Sequence, residues 1–295
     1  MRILILSRKR SLYSTRRLRE EGRRKRHVVD IVDPLKCVLL MTGGKPSILA
    51  GGRRLVPPDA VLPRIGTAGT EYSIAVVRHF ELMGVPVVNG HEAVARAKNK
   101  LDCLQRLALR GIPVPDTLMS RYPRDLDRLM KQLGGPPVIL KLLRGTQGTG
   151  VIYAESQASV ESMLETIWSL GEDILVQRFI AESKGKDVRA LVIHGKVRAA
   201  MRRIAPEGEF RSNIHRGATG EPVKLPKSVE RIAIRAAAAV GLEIAGVDIL
   251  ESSAGPVVIE VNASPGFEGL EEATKKNIAA MFIDAAGRAA RRRRR

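Results

Sequence analysis

Two neighbouring segments near the end of the chain constrain its fold more than any other feature. Residues 245–250 (AGVDIL) and 255–262 (GPVVIEVN) are rich in β-branched residues, and residues 252–255 (SSAG) between them suit a turn. We therefore predict two strands joined as a hairpin. Because side chains alternate along a strand, Ile259 and Val261 should fill one face and leave the other to polar side chains.

Three polar side chains share the second face of this predicted hairpin. Glu260 and Asn262 project from one strand, and Asp248 can lie across from them on its neighbour. They offer only oxygen ligands, with no Cys or His beside them, which suits Mg²⁺ or Mn²⁺. An amphipathic hairpin with a merely solvated polar face is the alternative, but the trio together with the Pro-Gly exit at 265–266 favours a metal site.

The composition limits the class of protein. A chain of 295 residues, 44% hydrophobic but only 3% aromatic, can form two or three subdomains with aliphatic cores. No stretch has the roughly 18 consecutive apolar residues of a membrane span, and residues 1–6 are too short for a signal sequence. Cys37 and Cys103 lack metal-ligand spacing and suit a reducing compartment. We expect a cytoplasmic protein without membrane contact.

The surplus of positive charge indicates polyanionic partners. Lys and Arg number 50 against 31 Asp and Glu, a net charge of +19 with a pI near 10.6. Nucleic acid, a ribosome or an acidic peptide would fit this charge, and so would a solvated arginine-rich exterior without a ligand. The five arginines at 291–295 are expected to form a disordered basic tail that binds RNA or nothing.

The first part of the chain alternates predicted strands and helices. Strands are predicted at 2–6, 28–32 and 59–63, a hairpin turn at 51–52, and helices at 15–26 and 74–83. This order favours a small parallel α/β domain ending near residue 89. It contains no Gly-x-Gly-x-x-Gly turn, so we assign no dinucleotide to it.

Two lysines and a glycine-rich segment are candidates for phosphate binding. Asn99 has N-cap chemistry, which places Lys100 at the start of a helix whose free N–H groups favour anions. A strand at 137–141 ends in Lys141 and leads through residues 145–150 (GTQGTG) to a further strand. Such glycines let backbone amides approach phosphate, although a plain hairpin turn has a similar composition. Because the segment joins strand to strand, a flap over a nucleotide is favoured over a P-loop.

Further candidates lie in the C-terminal half. A strand predicted at 174–180 can line an adenine slot, and Asp187 shares a strand face with Arg189. Beyond them follow Arg203, Arg211 and Asn213. Cations beside metal-binding acids suit a triphosphate and an anionic intermediate. The final helix is predicted at about 229–240, from an Ala-rich run.

Taken together, these residues resemble those of the ATP-grasp ligases. The motifs are Lys141 with the glycines of 145–150, residues 176–180 (VQRFI), 186–189 (KDVR) and 208–213 (GEFRSN), and Asp248 with 260–266 (EVNASPG). Residues 3–8 (ILILSR), 62–66 (LPRIG) and 215–217 (HRG) are similar to the RimK group within that family. The similarity covers nearly the whole chain except the terminal arginines.

The resemblance implies an α/β architecture: an N-terminal parallel α/β domain followed by a two-part α+β ATP-grasp domain that clasps ATP. The expected boundaries are 1–90 for the N-terminal domain, 91–185 for the central subdomain with the flap, 186–290 for the C-terminal subdomain with the metal site, and 291–295 for the tail. Tetramers occur in this family, so a homo-oligomer is expected.

The resemblance also implies an activity. In this family a carboxylate attacks the γ-phosphate of ATP, and an amine captures the acyl phosphate to form an amide. The RimK group adds L-glutamate to the C-terminal carboxylate of the sixth protein of the small ribosomal subunit, and some members make poly-α-glutamate. An acidic acceptor agrees with the basic charge, because carboxylates pair well with arginine forks.

The resemblance gives roles to individual residues. ATP would be bound by Lys100, Lys141, Gly145, Gln147, Gly148, Gly150, Gln177, Arg178, Phe179, Asp187, Arg211, Ser212 and Asn213, with Asp187 accepting from the ribose hydroxyls. Two Mg²⁺ or Mn²⁺ ions would be held by Asp248, Glu260 and Asn262. The acyl phosphate would be steadied during catalysis by Arg203, Arg211 and Asn213.

One position departs from the family pattern. Arg178 stands where the family usually has a Glu that accepts a hydrogen bond from the adenine amino group. If the guanidinium faces the base, the KM for ATP should rise and GTP should be tolerated. If it extends into solvent, a backbone carbonyl alone selects adenine.

Two other functions stay open from the sequence. One is an ATP-grasp ligase for a small coenzyme or amino-acid carboxylate, because the loops that shape the acceptor site contain no motif that distinguishes a peptide from a small molecule. The other is a non-catalytic, basic RNA- or ribosome-binding protein, which the charge favours and the intact metal trio opposes.

Overall fold

The structure is a computed structural model in which residues 1–66, 69–120, 126–143, 150–214 and 217–293 are described. Three predicted ATP-binding positions, Gly145, Gln147 and Gly148, lie outside the described residues. Among the described residues, none of the helices combines the length and the apolar character needed to cross a membrane.

The first part of the chain is built on a three-stranded parallel sheet in the order β2-β1-β6. Its elements are β1 (Arg2–Leu6), α1 (Tyr13–Arg24), β2 (Val28–Val32), β3 (Cys37–Thr42), β4 (Lys45–Ala50), β5 (Arg53–Arg54), β6 (Ala60–Pro63), α2 (Thr70–Leu82) and α3 (His91–Lys98). The strands β3, β4 and β5 form a separate antiparallel sheet, with the predicted turn at Gly51-Gly52. The parallel sheet confirms the predicted α/β fold class.

The middle part forms an antiparallel sheet in the order β7-β10-β8-β9. Its elements are α4 (Lys100–Leu109), β7 (Thr117–Met119), α5 (Leu126–Gln132), β8 (Val138–Leu142), β9 (Val151–Ala154), α6 (Gln157–Ser169) and β10 (Ile174–Arg178). The predicted cap of α4 is confirmed, because the side chain of Asn99 accepts a 3.1 Å hydrogen bond from the backbone N–H of Asp102. Lys100 therefore stands at the first position of this helix.

The last part forms a five-stranded antiparallel sheet in the order β13-β12-β11-β14-β15. Its elements are β11 (Lys186–Ile193), β12 (Lys196–Ile204), β13 (Thr219–Pro222), α7 (Lys227–Val240), β14 (Ile244–Ser252), β15 (Gly255–Asn262), α8 (Glu268–Thr274) and α9 (Ile278–Arg293). The strands β14 and β15 are the predicted hairpin. Along β11, Val188 and Ala190 pack with α7, while Leu191 and Ile193 pack with the core on the other face.

The helix α9 corrects two predictions. The run at 229–240 was expected to be the final helix, but α8 and α9 follow it. The terminal arginines were expected to be disordered, but α9 continues through Arg293, and Arg292 donates to Glu243 at 2.5 Å. Alanines dominate the run before these arginines and favour helix, so the arginines extend a helix that tertiary packing already holds.

That packing joins the two ends of the chain. Ile3 and Ile5 of β1 share one core with Phe282 and Ile283 of α9. Leu4, on the opposite face of β1, lies in a second core beneath α2. Because both faces of β1 are covered, the strand is apolar at every position from 3 to 6.

A β-bulge in β15 corrects the predicted alternation of side chains. Asp248 is the Cα partner of Glu260, but Ile249 is the partner of Val258, so Ile259 is the extra residue. Val258 and Val261 face the core, and Ile259 lines the same pocket as Glu260. Ile259 was expected on the opposite face, and the bulge reverses its direction.

A buried asparagine fixes the first part of the chain to the hairpin. The amide group of Asn89 donates to the carbonyls of Ile244 (2.7 Å) and Ala263 (2.9 Å), and its oxygen accepts from the N–H groups of Glu243 and Ile244. Asn89 is only 4% exposed. The parallel sheet is thereby held close to the ends of β14 and β15.

Candidate active site

A pocket between the middle and last sheets gathers most of the predicted site residues. Predicted residues that line it are Lys100, Lys141, Gln177, Arg178, Phe179, Asp187, Arg203, Arg211, Ser212, Asn213, Asp248 and Glu260. Asn262 does not line it but reaches Asp248, and Gly150 closes the hairpin between β8 and β9. Residues as far apart in sequence as Lys100 and Glu260 thus meet at one cleft.

Strand register places three charged side chains of this pocket, Asp187, Arg203 and Asp248, together with Arg189, which does not line it. Arg189 and Asp248 are Cα partners across β11 and β14, and Asp187 and Arg203 are partners across β11 and β12. Arg189 donates to Asp248 at 2.7 and 2.6 Å, and Arg203 donates from Nε to Asp187 at 2.6 Å and also pairs with it through Nη2. Nη2 of Arg203 lies 3.0 Å from Oδ2 of Asp248, which joins both pairs into one network.

This network keeps Asp248 ionised. Burial alone would raise the pKa of Asp248, but the guanidinium groups of Arg189 and Arg203 more than offset it, so the pKa lies below its ordinary value. The side chains of Asp248 and Arg203 are 2% and 3% exposed. A buried carboxylate of this kind depends on its cations to remain charged.

The predicted metal trio converges on one face of the hairpin. Asp248 and Glu260 are cross-strand partners, and the amide nitrogen of Asn262 lies 3.5 Å from Oδ2 of Asp248. In the described part of the chain no group of three or more His, Cys, Asp or Glu side chains forms a metal cluster, and the trio itself contains two carboxylates and an amide. An all-oxygen donor set of two carboxylates and one carbonyl fits a hard divalent cation completed by phosphate or water.

The two predicted phosphate-binding lysines differ in their contacts. Lys100 donates to the carbonyls of Leu142 (2.6 Å) and Leu143 (3.2 Å), where β8 leads into the glycine-rich segment. The side chain of Lys141 makes no hydrogen bond or ion pair with any described residue. Burial lowers the pKa of Lys141 to about 8, against the opposing charge of Glu260, and burial also lowers the pKa of Lys100. Both ammonium groups therefore gain from a phosphate anion.

The glycine-rich segment joins β8 to β9, as predicted, although residues 144–149 lie outside the described residues. At its end, Gly150 accepts from the N–H of Leu142 at 2.9 Å and has a φ of +75°. A Cβ on Gly150 would lie 3.0 Å from the Leu142 side chain, so glycine fits this turn best.

The predicted adenine-binding strand lines the pocket with Gln177, Arg178 and Phe179. The amide of Gln177 donates to the hydroxyl of Thr117 at 2.8 Å. The ring of Phe179 packs edge-on against Tyr153, with 4.9 Å between centroids. The side chain of Arg178 is 59% exposed, and its Nη1 lies 3.6 Å from Oδ2 of Asp116. Its guanidinium therefore extends toward the rim of the pocket.

The loop after β12 supplies the remaining predicted residues. Arg211 donates to Glu209 at 2.9 and 2.8 Å, and its guanidinium lies 5.0 Å from the centroid of the Phe210 ring. Ser212 is buried, and Asn213 is half-buried at the same cleft. Arg211 and Asn213, which were predicted to bind anions, thus lie in the same pocket as the Phe210 ring.

Sequence reasoning missed the apolar lining of the pocket. The residues concerned are Pro115, Ile139, Val151, Phe210, Leu250 and Ile259. Alternation could have found Ile139 and Leu250, because each lies two positions from a predicted site residue on its own strand. It could not have found Ile259, which depends on the bulge.

Family comparisons agree with this geometry. Residues 97–286 match the family model of the RimK-like ATP-grasp domain, and residues 1–94 match that of the RimK PreATP-grasp domain. This chain belongs to the RimK-like ATP-grasp family. It is an ATP-grasp ligase, and the RimK resemblance seen in the sequence is confirmed.

Relatives and solved structures support the family assignment. The chain is 50% identical over 283 residues to a probable alpha-L-glutamate ligase of Thioalkalivibrio sulfidiphilus, covering 96% of this chain and 94% of the relative. It is 48% identical to another of that name from Vibrio vulnificus, over the same shares of each chain. A RimK domain ATP-grasp protein from Sphaerobacter thermophilus has 25% identity and a TM-score of 0.75, covering 97% of this chain and 99% of that one.

A more distant structure shares the fold. The ATP-grasp ligase PsnB, solved with a minimal precursor, Mg and ADP, has a TM-score of 0.75 and 23% identity, covering 98% of each chain. The similarity of fold thus extends over nearly the whole chain.

Proposed function

We propose that this chain is an ATP-dependent carboxylate–amine ligase that adds L-glutamate in α-amide linkage. The proposed acceptor is the C-terminal carboxylate of the sixth small-subunit ribosomal protein, with extension to poly-α-glutamate. The observation that carries the proposal is the convergence of Lys100, Lys141, Asp248 and Glu260 on one pocket. The names of relatives at 48–50% identity supply the choice of glutamate.

In this proposal the nucleotide lies between the middle and last sheets. Lys100, Lys141 and the glycine-rich segment with Gly145, Gln147, Gly148 and Gly150 bind the phosphates. Gln177, Arg178 and Phe179 border the base. Asp187 accepts from the ribose hydroxyls, which its contact with Arg203 permits because each carboxylate oxygen has two lone pairs.

The trio of Asp248, Glu260 and Asn262 would hold Mg²⁺ or Mn²⁺, two ions in all. Bound there, the ions would neutralise charge on the transferred phosphoryl group. The chain's own contribution is to keep Asp248 ionised, through Arg189 and Arg203, and to fix the three side chains on one sheet face.

The reaction balances as two displacements. The acceptor carboxylate attacks the γ-phosphorus, which breaks the bond to ADP and forms an acyl phosphate. The amine of glutamate then attacks the acyl carbon, forms the amide and releases phosphate and a proton. Arg203, Arg211 and Asn213 stabilise the negative charge of the intermediate. No covalent enzyme nucleophile is needed.

Charge supports an acidic peptide acceptor. A net charge of +19 favours encounter with carboxylate-rich tails and with ribosomes or RNA. A cytoplasmic location and a homo-tetramer complete the proposal, the latter by family resemblance. A small coenzyme or amino-acid carboxylate is the competing acceptor.

Intact-mass analysis tests this function. The protein is incubated with ATP, Mg²⁺ and glutamate, with and without the ribosomal protein, and ADP, AMP and product masses are measured. We expect ADP release that requires glutamate and the divalent ion, and acceptor masses that rise in glutamyl steps. Release of AMP would contradict the mechanism. Glutamate-dependent ADP release with no change in the ribosomal protein would contradict the acceptor.

A further inference from the structure

Arg64 lies beside the candidate active site but has no role in the nucleotide chemistry described above. It follows β6, at the carboxyl end of the parallel sheet, and its Nη2 donates to the carbonyl of Pro265 at 2.7 Å. The next residue, Ile65, donates its N–H to the Ser264 hydroxyl at 3.1 Å. The loop after β6 is therefore bonded to the turn that follows Asn262.

The guanidinium of Arg64 has no ion-pair partner among the residues that the structure describes. It lies 5.7 and 5.6 Å from the ring centroids of Phe267 and Phe282. Its Nε is buried without a hydrogen-bond partner. Within the described ranges no carboxylate lies within ion-pair distance of it. Burial lowers its pKa to about 10, and no carboxylate offsets this shift.

The three nitrogens of this guanidinium differ in their contacts. Nη2 is bonded to Pro265 and Nε is buried, whereas Nη1 has no hydrogen bond to a described residue. Arg64 as a whole is half-buried rather than fully buried. Two aromatic rings hold the plane of the group, which pre-organises it for a carboxylate.

A second cation lies nearby. Lys98 ends α3, and burial lowers its pKa, with Glu260 opposing and Arg64 and Lys100 reinforcing the shift. Burial lowers the pKa of Lys100 and of Lys141 in the same way, and the charge of Glu260 opposes each shift. Lys100 and Lys141 line the nucleotide pocket, whereas Arg64 and Lys98 are not among its lining residues. Arg64 is therefore left for an anion other than the nucleotide.

We propose that Arg64 binds a non-reacting carboxylate of the amino-acid nucleophile and so holds its amine toward the acyl phosphate. The inference rests on the function proposed above. The acceptor carboxylate must lie at the γ-phosphate, where it loses its charge on phosphorylation. Both carboxylates of glutamate remain charged throughout, so either can pair with a cation for which the described residues supply no counter-ion.

The test separates nucleophile binding from phosphoryl transfer. Initial rates are measured for the full-length protein and Arg64→Gln with varied glutamate, acceptor and ATP. We expect the KM for glutamate to rise roughly 10- to 100-fold, the range for one charge-assisted contact. The KM values for ATP and acceptor should change less than about 3-fold, within the scatter of neutral substitutions. Arg64→Lys should recover part of the loss, because it keeps the charge without the fork.

Hydroxylamine provides an internal control. It captures acyl phosphates but has no carboxylate, so its ADP release should fall far less in Arg64→Gln than glutamate-dependent release does. Arg235→Gln is the matched variant, because Arg235 likewise donates to a backbone carbonyl, that of Arg110 at 2.6 Å, but is exposed on α7. It should leave all three KM values unchanged.

Three outcomes would overturn the inference. They are an unchanged KM for glutamate in Arg64→Gln, a rise confined to the KM for the acceptor, and an equal loss of hydroxylamine- and glutamate-dependent rates. If Arg64→Gln does not fold, Arg64→Lys carries the same comparison, and a KM for glutamate equal to that of the unsubstituted protein would contradict the proposal. Failure of the proposed function is distinct, because the unsubstituted protein would then show no glutamate-dependent ADP release.

Discussion

Arg189 forms a bidentate ion pair with Asp248 across two neighbouring strands, with hydrogen bonds of 2.7 and 2.6 Å to the two carboxylate oxygens. The same carboxylate accepts a contact from Arg203 at 3.0 Å. Asp248 is therefore both a candidate metal ligand and the centre of a buried charge network. Because Glu260 lies outside this network, neutralising Asp248 and neutralising Glu260 should affect stability differently.

Asp248→Asn should destabilise the protein, whereas Glu260→Gln should not. Removing the charge of Asp248 leaves Arg189 and Arg203 partly uncompensated, at a cost of about 3 kcal/mol. Glu260 has no ion-pair partner among the described residues, so its neutral variant should unfold within about 1 kcal/mol of the parent. Both variants should lose ligase activity. Urea unfolding and ADP release measure the two effects, and equal stability of both variants would contradict the network.

Acid stability gives a second measurement of the same network. The folded pKa of Asp248 is below its unfolded value, so its stabilisation is full above the unfolded pKa and declines as pH falls through the folded one. In Asp248→Asn this part of the acid dependence should vanish. Comparing unfolding free energies from pH 7 to pH 3 tests the sign, and parallel curves for parent and variant would contradict it.

The affinity for ATP should fall as pH rises through about 8, where Lys141 loses its proton. If Lys141 contacts a phosphate, only its charged form binds well, so kcat/KM for ATP should decline up to about tenfold per pH unit above that pKa. Lys141→Arg keeps its charge and should flatten the profile. A decline of the same slope in Lys141→Arg would assign the titration to another group.

Nucleotide choice should be insensitive to Arg178. Its side chain is 59% exposed and pairs with Asp116 rather than facing the apolar wall, so we expect Arg178→Ala to change the KM for ATP less than about 3-fold. Rates with ATP and GTP are compared for the parent, Arg178→Ala and Arg178→Glu. Asp116→Asn serves as control, because it breaks the same surface pair. Strong GTP use by the parent that disappears in Arg178→Glu would show instead that the guanidinium meets the base.

The terminal arginines should contribute to polyanion binding and little to folding. The Arg292–Glu243 pair is 61% and 29% exposed, which limits its effect to about 1 kcal/mol. Deleting residues 291–295 should weaken RNA binding at low salt and spare catalysis. Glu243→Gln breaks the pair while keeping the arginines, so its RNA binding should be unchanged. Equal RNA binding by the truncated and full-length proteins would remove this role.

Much of the candidate site was predictable because its signals are local. Asn99 fixes the start of α4, and hence the position of Lys100, because its side chain accepts a hydrogen bond from the N–H of Asp102, three residues later. Asp248 and Glu260 lie on strands with period-two alternation joined by a short turn. Ile259 was placed on the wrong face because a bulge depends on the partner strand and leaves no mark in the alternation itself.

The sequence by itself determined the hairpin and the oxygen-bearing side chains on it, because alternation, caps and turns act over a few residues. Only the tertiary structure decided which arginine meets which carboxylate. The sequence placed Arg189 on the same strand face as Asp187 but named no partner for it, and in the structure it pairs with Asp248, 59 residues away. That choice follows from the position of β11 between β12 and β14. The packing of α9 against the N-terminal sheet was likewise decided only by the tertiary structure. Burying Phe282 in one core with Ile3 gains free energy only when both ends of the chain are folded together.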